Sequence, residues 1–314
     1  MENSGFIDEQ SNGVFIISTT PFLNDGSIDF DSVDSLIEFY IDKRVNGMTI
    51  LGMMGEANKL SEKESEIFVK HVIKRVSNRI PVVVGVSDAG LQNLVRLSQY
   101  SMDIGCAGVM VAPISGLNTE KKIYGYFSQV FDSLGSDIPV CYQDYPQSTG
   151  VHISVECFNR LVKDFSQLVM LKHEDCPGLV KLTQVRDTAK SENLRRVSIL
   201  TGNGGLYLPL ELARGADGAM TGFAYPEMLV EMVSLHAEGK PEHAEDLYDA
   251  YLPLVRYEQQ PGYGLAVRKE VLRQRGAIAN ALTRSPGTSL SQTDHSELSK
   301  LISRLERRLN ELGR

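Results

Sequence analysis

Several classes of protein are excluded by what this sequence lacks. It has no run of about 18 apolar residues, so no membrane-spanning helix is predicted. Lys and Arg number 32 against 40 Asp and Glu, a net charge of −8. No basic stripe interleaved with aromatic residues occurs, which argues against nucleic acid or a membrane surface as a partner. The segment Met1–Gly5 has neither the basic nor the apolar part of a signal peptide, so we expect a cytoplasmic protein.

Cysteine is scarce and widely spaced. The four cysteines are Cys106, Cys141, Cys157 and Cys176, and no C-x-x-C pair is present. The spacing therefore predicts neither a zinc site nor a dithiol redox pair. Cys106 and Cys141 lie in or beside apolar runs, and we expect them to be reduced core residues.

The length and composition predict a folded α/β protein. With 314 residues, of which 42% are hydrophobic, the chain is too long for a small disulfide scaffold and too apolar for a disordered one. Length alone suggests two domains, although α/β barrels of roughly 250 residues form one.

Short, continuous apolar runs recur along the chain with helical segments between them. Such runs are typical of parallel strands that are covered on both faces. We predict eight strands, at Val14–Ser18, Met48–Leu51, Pro81–Val86, Gly108–Ala112, Pro139–Tyr142, Leu168–Lys172, Val197–Thr201 and Gly218–Thr221.

The intervening segments carry helix signals, of which the clearest is the capping box Ser61-Glu62-Lys63-Glu64. The other predicted helices are Asp31–Arg44, Asn118–Phe131, Ser154–Lys163, Gly178–Asp187, Gly205–Arg214 and Pro226–Glu238. Eight strands alternating with helical segments predict a (β/α)8 TIM barrel. The alternative is an open, doubly wound sheet, but Thr19-Thr20-Pro21-Phe22 stands where its G-x-G-x-x-G fingerprint is expected.

The composition changes after Gly239. Pro241–Tyr257, Tyr263–Gly276 and Asp294–Leu312 are predicted to be helices with no strands between them. We therefore predict two domains: residues 1–239 form the catalytic barrel, and residues 240–314 form a C-terminal helical region.

In such barrels the carboxyl ends of the strands carry the chemistry. The second predicted strand runs into Gly52-Met53-Met54-Gly55-Glu56, where two glycines allow backbone N–H groups to converge on an anion. The alternative interpretation is an ordinary tight turn with exposed methionines.

Strand six ends in Lys172. Burial disfavours the charged form of an amine, and a neutral lysine can attack a carbonyl to form a Schiff base. Tyr142 ends the neighbouring strand five, where a phenol could transfer protons. The alternatives are a lysine that extends to the barrel rim and a tyrosine anchored in the core by one hydrogen bond.

Together these segments resemble the dihydrodipicolinate synthase / N-acetylneuraminate lyase superfamily of class I aldolases. The resemblance covers residues 12–300, including the trailing helices. The matching motifs, in order, are Thr19-Thr20-Pro21-Phe22, Gly52-x-x-Gly55-Glu56, Tyr142…Pro146…Thr149-Gly150, Lys172-x-Glu174, Gly202 and Gly215–Gly222.

The resemblance implies a role for each matching residue. Lys172 forms an imine with pyruvate or a larger 2-oxo acid, and Tyr142 transfers protons beside it. The implied substrate-binding residues are Gly52, Met53, Met54, Gly55 and Glu56, which hold the carboxylate, and Met220, Thr221 and Gly222, which line the floor. The resemblance also implies that no metal or organic cofactor is needed and that the chain forms a homotetramer, a dimer of dimers.

The chain also departs from the synthases of this family. Met53 and Met54 replace two threonines, so the hydroxyls that bind carboxylate and relay protons are missing. Pro113 is followed by Ile114-Ser115-Gly116 rather than by two tyrosines. The arginine that grips the carboxylate of the aldehyde substrate aligns with Gln147 or Ser148, and neither is cationic.

These observations predict a Schiff-base lyase that acts on a 2-oxo acid, as an aldolase or as a dehydratase of a 2-keto-3-deoxy acid. The alternatives are a genuine 4-hydroxy-tetrahydrodipicolinate synthase and a non-catalytic barrel that binds 2-oxo acids. Strand alternation predicts that His173 faces the helical layer. Glu174 is expected to orient its neighbours, and Glu56 to hydrogen-bond within its own turn.

Overall fold

The computed structural model describes residues 5–314, in which eight parallel strands close into a barrel in sequence order, β1 pairing with β8. The strands β1–β8 are Gly13–Ile17, Gly47–Ile50, Val82–Gly85, Gly108–Val111, Val140–Asp144, Leu168–His173, Ser198–Thr201 and Gly218–Ala219. The predicted TIM barrel is therefore confirmed, and the open-sheet alternative is wrong.

Helices surround the barrel and continue beyond it. The helices α1–α12 are Phe30–Asp42, Glu62–Val76, Leu91–Asp103, Glu120–Leu134, Pro146–Thr149, Val155–Asp164, Leu179–Ser191, Leu208–Ala213, Pro226–Ala237, Pro241–Glu258, Gly264–Gln274 and Gln292–Glu311. None of those within residues 5–314 is both long enough and apolar enough to cross a membrane.

The predicted boundaries hold to within about four residues, but helices α3 and α5 were not predicted. One shifted boundary has a clear physical reason. Helix α8 begins at Leu208 and not at Gly205. Gly204 and Gly205 both have positive φ (64° and 79°), a conformation that ends a helix and that glycine adopts without strain. The two glycines form a 3-10 turn with Asn203 directly after β7.

Two apolar layers follow from the alternation of side chains along each strand. The side chains that point into the barrel form the inner layer: Phe15, Ile17, Val83, Met110, Cys141, Met170, Leu200 and Met220. The alternate residues pack against the helices in a larger outer layer, which also contains Leu247, Leu254, Val267 and Leu298 of the C-terminal helices. The division into domains at residue 239 stays a prediction.

Helix α11 ties the C-terminal helices to the loops at the carboxyl end of the barrel. Lys269 is fully buried, and its ammonium donates hydrogen bonds to the carbonyl of Thr20 (2.8 Å), to Glu56 Oε1 (2.6 Å) and to the carbonyl of Leu282 (2.8 Å). Thr20 follows β1 and Glu56 follows β2. One side chain thus fixes two of the loops that form the mouth of the barrel.

Arg284, in the segment after α11, reinforces this connection. Its backbone N–H donates to Glu56 Oε2 (2.9 Å), and its guanidinium binds the carbonyl of Lys59 and the carboxylate of Glu64. Glu64 also completes the capping box with Ser61 at the start of α2, as predicted. Hydrogen bonding from Arg284 lowers the pKa of Glu64 to about 2.

Replacing Lys269 by Met keeps most of the side-chain volume but leaves Glu56 Oε1 without its buried cation. Breaking a buried ion pair on one side costs about 3–5 kcal/mol. Since Lys59 still contacts the other oxygen of Glu56 (2.9 Å), we expect the free energy of unfolding in urea to fall by about 3 kcal/mol. The matched control Lys43→Met removes an exposed pair with Asp42 and should cost less than about 1 kcal/mol. Equal losses for both variants would contradict this role.

Candidate active site

Lys172 points into the barrel near the carboxyl end of β6. Parallel pairing places it level with Gln143 on β5 and Leu200 on β7. Only 4% of Lys172 is exposed, and its Nζ lies 3.1 Å from Glu174 Oε2. A buried amine is thus held opposite a buried carboxylate at the end of the barrel where catalytic groups gather.

Glu174 is fixed from three sides. The side-chain amide of Gln143 donates to Glu174 Oε2 (2.7 Å), and Asn203 Nδ2 donates to the backbone carbonyl of Glu174 (3.2 Å). Any Cβ at Gly202 would collide with the Glu174 side chain, so a glycine is required there. We call Lys172, Glu174 and Gln143 the lysine triad.

Tyr142 does not belong to this triad. It is fully buried on the opposite face of β5, with its ring 4.6 Å from that of Phe127 on α4 and 5.9 Å from that of Phe158 on α6. Burial raises the pKa of Tyr142 well above its ordinary value. The predicted placement of this phenol beside Lys172 is therefore wrong, and proton transfer by Tyr142 at Lys172 does not fit the structure.

The physical reason is the two-residue period of the strand. Tyr142 and Gln143 are adjacent, so their side chains point to opposite faces of β5. An assignment that is wrong by one residue therefore places a side chain in the barrel interior when it belongs in the helical layer. The core alternative is closer to the structure, except that the Tyr142 hydroxyl has no hydrogen-bonding partner among residues 5–314. Another phenol, that of Tyr145, responds to the triad: burial and the charge of Glu174 raise its pKa.

A second polar cluster lies behind the triad, between the barrel and α7 and α8. His173 faces the helices, as the alternation predicts, with Nδ1 3.7 Å from Asp144 Oδ2. Lys181 Nζ lies 2.6 Å from the same carboxylate oxygen. Burial alone would lower the pKa of His173, but hydrogen bonding and the charge of Asp144 outweigh it and raise the pKa. Burial raises the pKa of Glu211 to about 7.

The turn after β2 has a strained, well-defined backbone. Gly52 precedes a 3-10 turn at Met53–Gly55, and the non-glycine residues on either side, Leu51 and Glu56, have φ values of 53° and 57°. The first N–H groups of a helical turn have no acceptor within the turn, so those of Met53 and Met54 are available to an anion. Thr20 Oγ1 donates to the carbonyl of Gly55 (2.6 Å) and holds the turn in place.

Glu56 itself does not fit a role in substrate binding. It is 1% exposed, and its two oxygens bind Lys269, Lys59 and the backbone N–H of Arg284. The expectation of hydrogen bonding within its own turn holds only for Lys59. The sequence gives no signal for the other two partners because they are more than 200 residues away.

The three predicted residues at β8 have different positions. Met220 lies inside the barrel, with its sulfur 3.9 Å from Cys141 Sγ, and so forms part of the apolar floor. Thr221 Oγ1 accepts a hydrogen bond from the backbone N–H of Gly204 (2.7 Å), so its side chain is used within the protein. A Cβ at Gly222 would collide with Arg268, which explains the glycine by packing.

A cavity of about 860 Å³ opens beside the triad, at the carboxyl ends of β2 to β5. Neutral polar side chains dominate its polar lining: Asn58, Ser65, Ser87, Asn93, Gln143 and Ser148. The lining cation is Arg96, which pairs with Glu62 and Glu66. Gln147 is engaged elsewhere, donating to the carbonyl of Cys176 (2.7 Å).

Within residues 5–314, no group of three His, Cys, Asp or Glu side chains is arranged to hold a metal ion. The lysine triad itself offers a nucleophilic amine beside a carboxylate. A closed (β/α)8 barrel with a buried lysine at the carboxyl end of β6 has the architecture of a Schiff-base lyase.

The chain belongs to the Dihydrodipicolinate synthetase family, which matches residues 10–305, and it is a lyase of that family. L-2-keto-3-deoxyarabonate dehydratase of Azospirillum brasilense is 27% identical over 298 residues, 94% of each chain. The 4-hydroxy-tetrahydrodipicolinate synthase of Methanococcus maripaludis is 26% identical over 78% of this chain and 82% of its own. The crystal structure of a dihydrodipicolinate synthase from Rhodopseudomonas palustris superposes with a TM-score of 0.93 at 45% identity, covering 95% of this chain and 99% of that one.

The placement of Tyr142 generates a test. Tyr142→Phe removes a buried hydroxyl that has no partner among residues 5–314, so we expect the free energy of unfolding to rise by about 1 kcal/mol. The catalytic rate should stay within about twofold of the parent, because no interaction made in the transition state is removed. The matched control Tyr248→Phe removes a bond to the carbonyl of Leu206 and should destabilise the fold. A fall in kcat of about a hundredfold or more for Tyr142→Phe would restore its catalytic role.

Proposed function

We propose that Lys172 is the Schiff-base lysine of this enzyme. Its burial at the carboxyl end of β6, with Nζ 3.1 Å from Glu174, is the observation that carries the proposal. Nζ adds to the keto carbon of a 2-oxo acid, water leaves, and an imine remains. The positively charged imine accepts electrons from the next carbon and thereby allows a bond at C3 or C4 to break.

The backbone turn after β2 is the proposed seat of the substrate carboxylate. The N–H groups at Met53 and Met54 offer hydrogen bonds to an anion, and positive φ at Leu51 and Glu56 fixes their direction before substrate arrives. The thioethers of Met53 and Met54 supply no hydroxyl. Binding at this point therefore rests on the backbone.

The cavity lining supports a hydroxylated substrate tail. Its six neutral amide and hydroxyl side chains suit the hydroxyls of a 2-keto-3-deoxy sugar acid, and Arg96 already has two carboxylate partners. The relative from Azospirillum brasilense, which matches 94% of this chain, bears the name of a dehydratase of such an acid. We therefore propose dehydration of a 2-keto-3-deoxy acid: C3 loses a proton and C4 loses its hydroxyl as water.

Synthase activity is the second candidate, favoured by the 45% identity to a structure described as a dihydrodipicolinate synthase. Against it stands the mouth of the cavity, where Ser148 Oγ lies 3.1 Å from Met53 Sδ. Neither side chain can form the charge-assisted bond that a second carboxylate requires. Assembly as a homotetramer and a cytoplasmic location stay predictions.

Lys172→Ala should abolish the adduct that borohydride traps when the protein is incubated with pyruvate, because the variant has no amine to form the imine. Intact mass and peptide mapping provide the measurement. Lys181→Ala is the matched control: Lys181 lies on the helical side of the barrel, paired with Asp144, and the variant should retain the adduct. An adduct on a lysine other than Lys172, or none in the parent, would contradict the proposal.

We expect kcat/KM for L-2-keto-3-deoxyarabonate, or a similar hydroxylated acid, to exceed that for condensing pyruvate with aspartate semialdehyde by about tenfold or more. The missing charge-assisted contact is worth roughly 1.5–3 kcal/mol. Ser148→Arg supplies a cation and should improve use of the semialdehyde by about the same factor. Condensation by the parent at about 10⁴ M⁻¹s⁻¹ or more would favour the synthase instead.

A further inference from the structure

Schiff-base chemistry needs a group that moves protons at the lysine. Three transfers are unavoidable: one from the lysine ammonium, one to the departing hydroxyl of the carbinolamine, and one from C3 of the imine. Because Tyr142 points away from the barrel interior, this chain must use another side chain. Among residues 5–314, Glu174 is the ionisable side chain in contact with Lys172 Nζ.

The carboxylate of Glu174 is positioned rather than merely nearby. Gln143, on the inner face of β5, occupies the place level with Lys172 and binds the same carboxylate oxygen that faces Nζ. An amide does not titrate, so Gln143 can orient Glu174 but cannot replace it as an acid or base. Gly202 leaves room for the glutamate side chain where any other residue would displace it.

We propose that Glu174 is the acid–base catalyst of this enzyme. The proposal rests on the function proposed for Lys172. Both the carbinolamine hydroxyl and the C3 hydrogens lie within two bonds of the carbon that becomes attached to Nζ, and Nζ is the atom that Glu174 contacts. Glu174 is therefore within reach of every proton that must move.

The proton balance closes with this one group. The ammonium of Lys172 gives a proton to Glu174, and the neutral amine adds to C2, whose carbonyl electrons move to oxygen. An N–H proton passes to that oxygen and makes a neutral carbinolamine. Glu174 then protonates the hydroxyl, which leaves as water, and an iminium ion and a carboxylate remain.

Elimination uses the same carboxylate once more. Glu174 takes a proton from C3, and the C–H electrons form the enamine. The enamine expels the C4 hydroxyl, which leaves as water with the proton from Glu174. Added water then hydrolyses the conjugated imine and returns the lysine.

Tyr145 is the alternative acid–base group that a test must separate from Glu174. Its phenol is partly buried, and the charge of Glu174 helps to raise its pKa. The proton balance above closes without Tyr145, so Tyr145 is assigned no transfer step. If Tyr145 were the base, removing its hydroxyl would slow proton transfer more than removing the carboxylate of Glu174.

Exchange of the pyruvate methyl hydrogens with D₂O, followed by NMR, isolates the transfer at C3 and needs no knowledge of the natural substrate. For Glu174→Gln we expect the exchange rate to fall by about 10²–10⁴. Borohydride should still trap pyruvate on Lys172 after long incubation. Glu174→Asp, which shortens the side chain by one methylene, should retain more exchange than the Gln variant.

The matched control is Glu211→Gln, the same substitution at another buried carboxyl that does not contact Lys172; it should exchange at close to the parent rate. Exchange by Glu174→Gln within about threefold of the parent, or a greater loss in Tyr145→Phe, would overturn the assignment. If Glu174→Gln does not fold, exchange by Glu174→Ala within about threefold of the parent would overturn it equally. Absence of any trapped adduct in the parent would instead refute the proposed function of Lys172.

Discussion

The active site depends on one ion pair that is enclosed by an apolar barrel. Below Lys172 and Glu174 lie Met170, Met220 and the other inward side chains, which offer charges no solvation. Removing two charges from water costs several kcal/mol per ion, and the pair is tolerated only when its geometry and hydrogen bonds are good. The amide of Gln143 supplies a hydrogen bond to Glu174, and the missing side chain at Gly202 leaves room for the glutamate. The carboxylate therefore fixes the relation between β5, β6 and the turn after β7.

The fold was predictable because its signals are local. Apolar runs, the capping box at Ser61 and glycine turns each act within a few residues, and right-handed crossovers then impose the strand order. The buried position of Lys172 was predictable for the same reason, since it closes an apolar strand. The face of β5 that Tyr142 occupies was not predictable in this way, because it depends on the register between neighbouring strands. The signal that was available is Gln143 itself: a polar residue at the end of an apolar strand belongs at the open mouth, whereas an aromatic ring belongs among the aromatic rings of the helices.

The partners of Glu56 illustrate what the sequence does not encode in any local pattern. Glu56 and Lys269 are separated by 213 residues, and nothing around either residue marks it as buried. Long-range ion pairs obey no spacing rule comparable to the helical or strand period. From the sequence alone, the hydrogen bonds of Glu56 could be predicted only within its own turn. Because that turn could bind an anion, Glu56 was also predicted to belong to the binding site. Its structural role became evident only with its partners in place.

The attachment of the mouth of the barrel to Lys269 and Arg284 has a consequence for how the protein is made. All eight strands lie before residue 220, yet the turn that we assign to the substrate carboxylate is held by side chains that are synthesised at least 49 residues later. The C-terminal helices share the outer apolar layer of the barrel, and until Lys269 and Arg284 have been synthesised the turn after β2 lacks the side chains that hold it. At that stage Glu56 lacks its buried cation. A chain cut short after β8 therefore lacks the contacts that hold this turn, so the C-terminal helices are needed to complete the proposed site.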